Sequence, residues 1–205
     1  MSELQQMIDA GEALQKATQN FMDCALAAIK TRANGTTNDP DAKPADPPKL
    51  EQEWLTNPRA QKSRPIDKLV IHSSATPAAM DIGAAEITEW HVKQRGFKAI
   101  GYHYVIRRSG AIEVGRSESA AGAHAKGHNA RSIGVCLVGG ARKRNGGVKH
   151  AENNFNKAQQ ATLARVVKEM RVKYPGLDIE GHRDLPGAKT SCPSFDVAAW
   201  LAAQD

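Results

Sequence analysis

Short β-rich runs alternate with helical stretches through residues 61–205, and this alternation most constrains what the chain can fold into. Lys68-Leu69-Val70-Ile71-His72 is an apolar run of strand length that ends in the polar pair Ser73-Ser74. Residues 83–95 predict a helix with Ile87, Trp90 and His91 along it. Residues 102–107 and 111–114 flank Ser109-Gly110 and predict a hairpin. Residues 132–138 form a β-rich run closed by Gly139-Gly140. Residues 156–174 predict a long amphipathic helix, stopped by Pro175-Gly176. Residues 177–182 predict another strand, and residues 196–203 a closing helix. Mixed elements in this order predict a single α/β domain with a central mixed β-sheet flanked by helices. No internal repeat interrupts it.

The first sixty residues read differently. Residues 1–34 predict an N-terminal amphipathic helix. Leu4, Met7, Ile8, Leu14, Phe21, Met22, Ala25, Leu26 and Ile29 recur at spacings of three, four and seven. Ser2 suits its N-cap, and Asn34-Gly35 its stop. Such a helix suits docking on the main domain, self-association, or contact with a membrane surface. Its polar face lacks the Lys/Arg excess that favours the last of these. Residues 35–60 read as a linker, because Asn38 to Pro48 is rich in Pro and Asp and has no apolar period. The α/β domain then occupies residues 61–205.

Charge and composition narrow the function classes. Residues 1–60 carry a net charge of −3 and residues 61–205 one of +9. A basic domain after an acidic leader suggests an anionic partner: nucleic acid, an anionic membrane or a bacterial cell wall. Aromatic residues make up only 5% of the chain, so stacking platforms for bases are scarce and no nucleic-acid partner is expected. Hydrophobic residues at 40% and charged residues at 24% are ordinary for a globular protein and exclude collagen-like and wholly disordered classes. Three cysteines, Cys24, Cys136 and Cys192, are too few for a disulfide framework and suit a reducing compartment. No apolar run approaches the roughly 20 residues of a membrane span. The N-terminus has no secretory pattern, so cytoplasmic synthesis is expected.

Two histidines end predicted strands, His72 and His182, and Cys192 follows in Thr190-Ser191-Cys192-Pro193. Two imidazoles and a thiolate make a reasonable zinc set that leaves a fourth position for water. The spacing leaves a second reading open, in which both histidines bond to backbone and Cys192 is an inert thiol. His182-Arg183-Asp184-Leu185 matches the start of a protein-kinase catalytic loop, but position 189 is Lys rather than Asn and no Gly-rich loop is present, so that match is accidental. Cys136 sits inside an apolar strand and reads as a buried thiol. His91 and His103 read as structural. Residues 142–147 read as a solvated hairpin turn that could add attraction to an anionic wall.

Taken in order, several segments resemble a known family. They are residues 71–76 (Ile-His-Ser-Ser-Ala-Thr), Trp90-His91, residues 100–106 (Ile-Gly-Tyr-His-Tyr-Val-Ile), residues 122–129 (Gly-Ala-His-Ala-Lys-Gly-His-Asn), residues 132–140, Gly181-His182-Arg183-Asp184, and Cys192-Pro193-Ser194-Phe195-Asp196. Over residues 64–203 the chain resembles the type 2 N-acetylmuramoyl-L-alanine amidases, in particular the zinc amidase endolysins of podoviruses. These share a fold with peptidoglycan recognition proteins. Residues 1–60 lie outside the resemblance.

The resemblance implies one zinc ion per chain, held by His72, His182 and Cys192. It implies peptidoglycan as substrate, with zinc-activated water cutting the amide between N-acetylmuramic acid and L-alanine. It makes Tyr102 the catalytic tyrosine. Podovirus lysins carry a lysine two residues before the cysteine ligand; here that position is Thr190, with Lys189 one place earlier. Either Thr190 supplies the missing donor or a local shift brings in Lys189. The resemblance also places His124 and Asn129 in the groove wall as substrate contacts, against the alternative of a loop held by local hydrogen bonds. A phage or prophage lysin is the expected role. The alternatives are a non-catalytic peptidoglycan receptor, which would usually lose the cysteine ligand, and a cytoplasmic amidase that recycles wall fragments.

Overall fold

The computed structural model describes residues 64–143 and 149–204, so the predicted N-terminal helix and linker lie outside the described residues. The chain order is β1 (Lys68–Ser73), α1 (Ala84–Glu89) running into a π turn (Trp90–Gln94), β2 (Tyr104–Ile106), β3 (Ile112–Val114), a 3-10 turn (Asn129–Arg131), and β4 (Ser132–Leu137). Then come β5 (Ala141–Lys143), β6 (Lys149–Ala151), α2 (Lys157–Lys173), β7 (Asp178–Gly181), a second 3-10 turn (His182–Asp184) and α3 (Val197–Ala202). Five strands form one sheet in the order β3-β2-β4-β1-β7. β1 runs parallel to both β4 and β7, and β2 runs parallel to β4. Only the hairpin partner β3 is antiparallel. The predicted mixed sheet is therefore present.

Every residue of β4 is buried, as are the last five of β1. A parallel strand covered on both faces needs apolar residues throughout, which explains runs of Val, Ile and Leu without polar alternation. The period of two still sorts the faces. Leu69 and Ile71 of β1, with Ile133, Val135 and Leu137 of β4, pack against Leu163, Val166, Val167 and Met170 of α2. The intervening positions, His72 on β1 and Gly134 and Cys136 on β4, fall on the opposite face, where Cys136 joins Val105, Val138, Ile82, Ile87 and Ile100. One face of the sheet is thus a plain core, while the other carries histidine and glycine.

The helix α2 starts where Asn156 caps it: the Asn156 Oδ1 accepts from the Gln159 N–H at 3.0 Å, and Gln159 reaches back to the cap. It ends at Tyr174, before Pro175 and a left-handed Gly176 (φ +79°). The strand β2 begins at Tyr104, two residues later than the pattern predicts. Tyr102 and His103 lie outside the strand, although backbone bonds still tie them to Arg116 and Gly134. β5 and β6 pair on either side of residues 144–148, as the predicted hairpin requires.

A buried polar knot braces the far side of the domain. Glu118 accepts from the hydroxyls of Tyr104 and Tyr174 and from Lys173 Nζ at 2.7 Å. Burial pushes its carboxyl up, but Lys173 and the two phenols outweigh this and hold it below the ordinary glutamate value.

Candidate active site

The site opens at the carboxyl ends of the parallel strands, where crevices form in open α/β sheets. β1 delivers His72 at its end, and β7 passes directly into the turn that carries His182. Cys192 comes from the loop before α3. The backbone N–H of Arg183 donates to the Cys192 carbonyl at 2.7 Å, which ties the second histidine to the cysteine. The Ser73 N–H donates to Cys192 Sγ at 3.1 Å, which ties the cysteine to β1. Three segments far apart in sequence are therefore fastened together at the backbone.

One donor atom from each of His72, His182 and Cys192 lies within 4.8 Å of the others. His72 Nδ1 is 3.8 Å from Cys192 Sγ. Zinc bound by nitrogen at about 2.0 Å and sulfur at about 2.3 Å in a tetrahedron needs a spacing of about 3.5 Å, so the donor set fits the metal in type and separation. Burial pushes the His72 imidazole well below its ordinary value, helped by His124, His182 and His103, and burial also lowers His182, which favours the neutral form that a metal would require of both rings. Burial raises the Cys192 thiol, opposed by donation from Ser73.

Tyr102 stands beside this trio, its ring centroid 5.1 Å from His72 and 5.3 Å from His91. Burial first, then Cys136 and Cys192, push its phenol well above 10, so it is a hydrogen-bond donor at neutral pH. A cleft of about 620 Å³ opens over these residues, with Thr76, Trp90, Gln94, Arg95, Tyr102, His124, His182, Thr190 and Cys192 among its walls. That volume falls within the range of small-molecule sites.

The other predicted residues separate. Thr190 lines the cleft, and its Oγ1 accepts from the Cys192 N–H at 3.1 Å. Lys189 is exposed and is not among the residues that line the cleft. His124 is in the cleft wall but only 9% exposed, with its Nδ1 3.0 Å from His72 Nε2. Asn129 does not line the cleft: its Oδ1 is taken up by the backbone N–H groups of His124 and Ala125, at 2.8 and 2.9 Å, and it shapes their loop. His91 accepts the Gly101 N–H at 2.9 Å, and His103 the Gly134 N–H at 2.9 Å, so both are tied into the scaffold. Sequence reasoning passed over Ser73 and Ser132. Ser73 directly follows the first ligand, and Ser132 opens the run that lies against His124; adjacency to a candidate ligand was the available signal.

Two strand-end histidines and a cysteine on one lip of a mixed sheet, with a phenol beside them, have the layout of a hydrolase site of the amidase class. Known proteins agree. The N-acetylmuramoyl-L-alanine amidase family model matches residues 62–195, and the chain belongs to that family. It is 42% identical over 139 residues to an endolysin of Klebsiella phage KP32, covering 68% of this chain and 87% of the relative. It is 40% identical over 134 residues to the endolysin of Escherichia phage T7, covering 65% and 84%. Among solved structures, the N-acetylmuramoyl-L-alanine amidase LysC from Clostridium intestinale superposes with a TM-score of 0.56 at 30% identity, covering 70% of this chain and 87% of LysC. Drosophila PGRP-LB superposes with a TM-score of 0.55 at 25% identity, covering 68% and 81%. Among the described residues no helix is long and apolar enough to cross a membrane.

Proposed function

We propose that the protein is a zinc-dependent peptidoglycan amidase that cuts the bond between the lactyl group of N-acetylmuramic acid and L-alanine, in the role of a phage or prophage lysin. The carrying observation is the His72, His182 and Cys192 trio beside an open cleft that His182 and Cys192 line and His72 backs, in a chain whose relatives are phage endolysins. An intact cysteine ligand favours the enzyme over a receptor that keeps the fold alone.

Zinc held there supplies Lewis-acid polarisation of the amide carbonyl and lowers the pKa of water to about 7. The chain does the rest. His72 and His182 present neutral imidazoles, and Cys192 receives donation from Ser73, which eases loss of its proton. Tyr102 lines the cleft and keeps its phenolic proton, which the Cys136 thiol receives in the free protein and which can turn to orient the attacking water or donate to the oxyanion. Thr190 accepts from Cys192 N–H, so its own hydroxyl proton remains for the oxyanion. Together they are two neutral donors at the point where negative charge develops.

The test is release of new L-alanine amino termini from purified peptidoglycan. Termini should appear with the protein as isolated, vanish after chelation and return with added zinc. Absence of termini from a zinc-loaded protein would overturn the enzyme reading in favour of a receptor. In the same assay Tyr102→Phe should lower kcat by about 100-fold with little change in folding, the loss expected for one preorganised donor.

A further inference from the structure

The ring of His124 is buried behind a metal-ligand candidate, where the cleft reading gives it no work. His72 (1% exposed), His124 (9%) and Ser132 (0%) form one buried line. His72 Nε2 meets His124 Nδ1 at 3.0 Å, and His124 Nε2 meets Ser132 Oγ at 3.4 Å. Ser132 Oγ donates to the His128 carbonyl at 2.8 Å.

A serine hydroxyl has one proton, and here the carbonyl takes it. Toward His124 the serine can therefore only accept, so a neutral His124 carries its proton on Nε2. Its Nδ1 is then bare and must accept from His72 Nε2. That leaves the lone pair of His72 on Nδ1, the atom that faces Cys192 Sγ. The direction of the whole line follows from one serine proton.

The backbone has been cut back to admit this ring. A Cβ on Gly134 would lie 2.6 Å from His124 Cγ, and one on Gly122 would lie 2.7 Å from His124 Nε2. Any side chain at either position would expel the imidazole. Asn129 fixes the loop from the other end, by holding the His124 N–H.

We propose that His124 is a positioning residue of the metal centre: through the one-way line Ser132–His124–His72 it holds His72 in the Nε2–H tautomer and aims Nδ1 at the space shared with Cys192 and His182. The proposal rests on the zinc reading above. Partners of this kind fix ring orientation and typically change metal affinity by about 10–100-fold.

The experiment has two arms. In the first, nitrogen–proton correlation spectra of the metal-free, histidine-labelled full chain report the His72 tautomer. A single Nε2–H form is expected, and an Nδ1–H form or an exchanging mixture overturns the proposal. This arm needs no variant and no zinc. In the second, zinc dissociation constants are measured by competition with a chromogenic chelator. His124→Phe, which keeps a ring but has no acceptor, should bind zinc about 10–100-fold more weakly. His124→Asn, whose side-chain oxygen can replace Nδ1, should recover most of that loss. Equal affinity in the wild type and both variants, or equal losses in both variants, overturns the proposal, since a packing role would not distinguish an acceptor from a ring. If the wild type itself takes up no zinc, the functional reading fails, while the tautomer result stands by itself.

Discussion

Cys192→Ala is expected to empty the metal centre and to lower amide hydrolysis by about a thousandfold or more. Several kcal/mol of charge stabilisation depend on the metal, at 1.36 kcal/mol per decade of rate. Two imidazoles alone make a poor tetrahedral zinc site. The fold should survive. Cys192 is only half-buried, and its loop stays anchored by the Arg183 N–H on the Cys192 carbonyl and by Ser194 Oγ on the Gly140 carbonyl at 2.6 Å. The Ser73 N–H loses its sulfur acceptor, a cost of about 1–3 kcal/mol. Metal content by atomic emission, with a thermal melt alongside, checks both halves; a variant that keeps one zinc per chain refutes the ligand assignment.

The same thiol sets the pH dependence of metal uptake. His72 and His182 have lowered pKa values and are already neutral at pH 7, so they release nothing. Cys192 is raised, so below its pKa it enters the complex by losing a proton. One proton should be released per zinc. Affinity should rise about tenfold per pH unit until the thiol titrates. Calorimetry in buffers of different ionisation heat counts that proton.

The second large effect concerns the corner where this chain departs from the lysine pattern of podovirus lysins. Thr190→Val removes a hydroxyl of nearly the same shape and should lower kcat by about 100- to 1000-fold, with KM little changed, as expected for a donor used only in the transition state. Lys189→Ala should leave the rate within about threefold, because the Lys189 side chain does not reach the cleft. Steady-state kinetics on a soluble muropeptide separates the two. The reverse pattern would mean that the loop shifts when substrate binds and brings in Lys189.

Much of the architecture could be read before any coordinates. β1 and β4 announce themselves because strands buried on both faces must be apolar along their whole length. α2 has a cap, a period and a stop within its own eighteen or so residues. The metal trio is a different case. His72 and His182 are visible as strand-end histidines, but nothing local brings them together; only the parallel β1–β7 register does, and register is a property of the sheet. The resemblance places His124 in the groove wall, where it lies, but not its second contact, the ring backing His72. That arrangement depends on two glycines, Gly122 and Gly134, which approach it from separate segments. The Glu118 knot was not legible either, since its partners Tyr104, Lys173 and Tyr174 sit up to 56 residues away. An amide such as Asn129 in a glycine-rich loop suits either a substrate contact or a loop brace from sequence alone, and the brace is the part visible here, with Oδ1 on the N–H groups of His124 and Ala125.

The backbone ties around the metal trio have a thermodynamic side. His72 and Cys192 are 120 residues apart in sequence, and α1, α2 and the strands β2 to β7 all lie between His72 and His182. An ion held by all three can exist only when β1, β7 and the loop before α3 are assembled together. Metal binding would then be linked to domain folding, adding to a native state that already stands without it. At a free zinc concentration a thousand times the dissociation constant the native state gains about 4 kcal/mol. A chelator would act on this protein as a mild denaturant as well as an inhibitor.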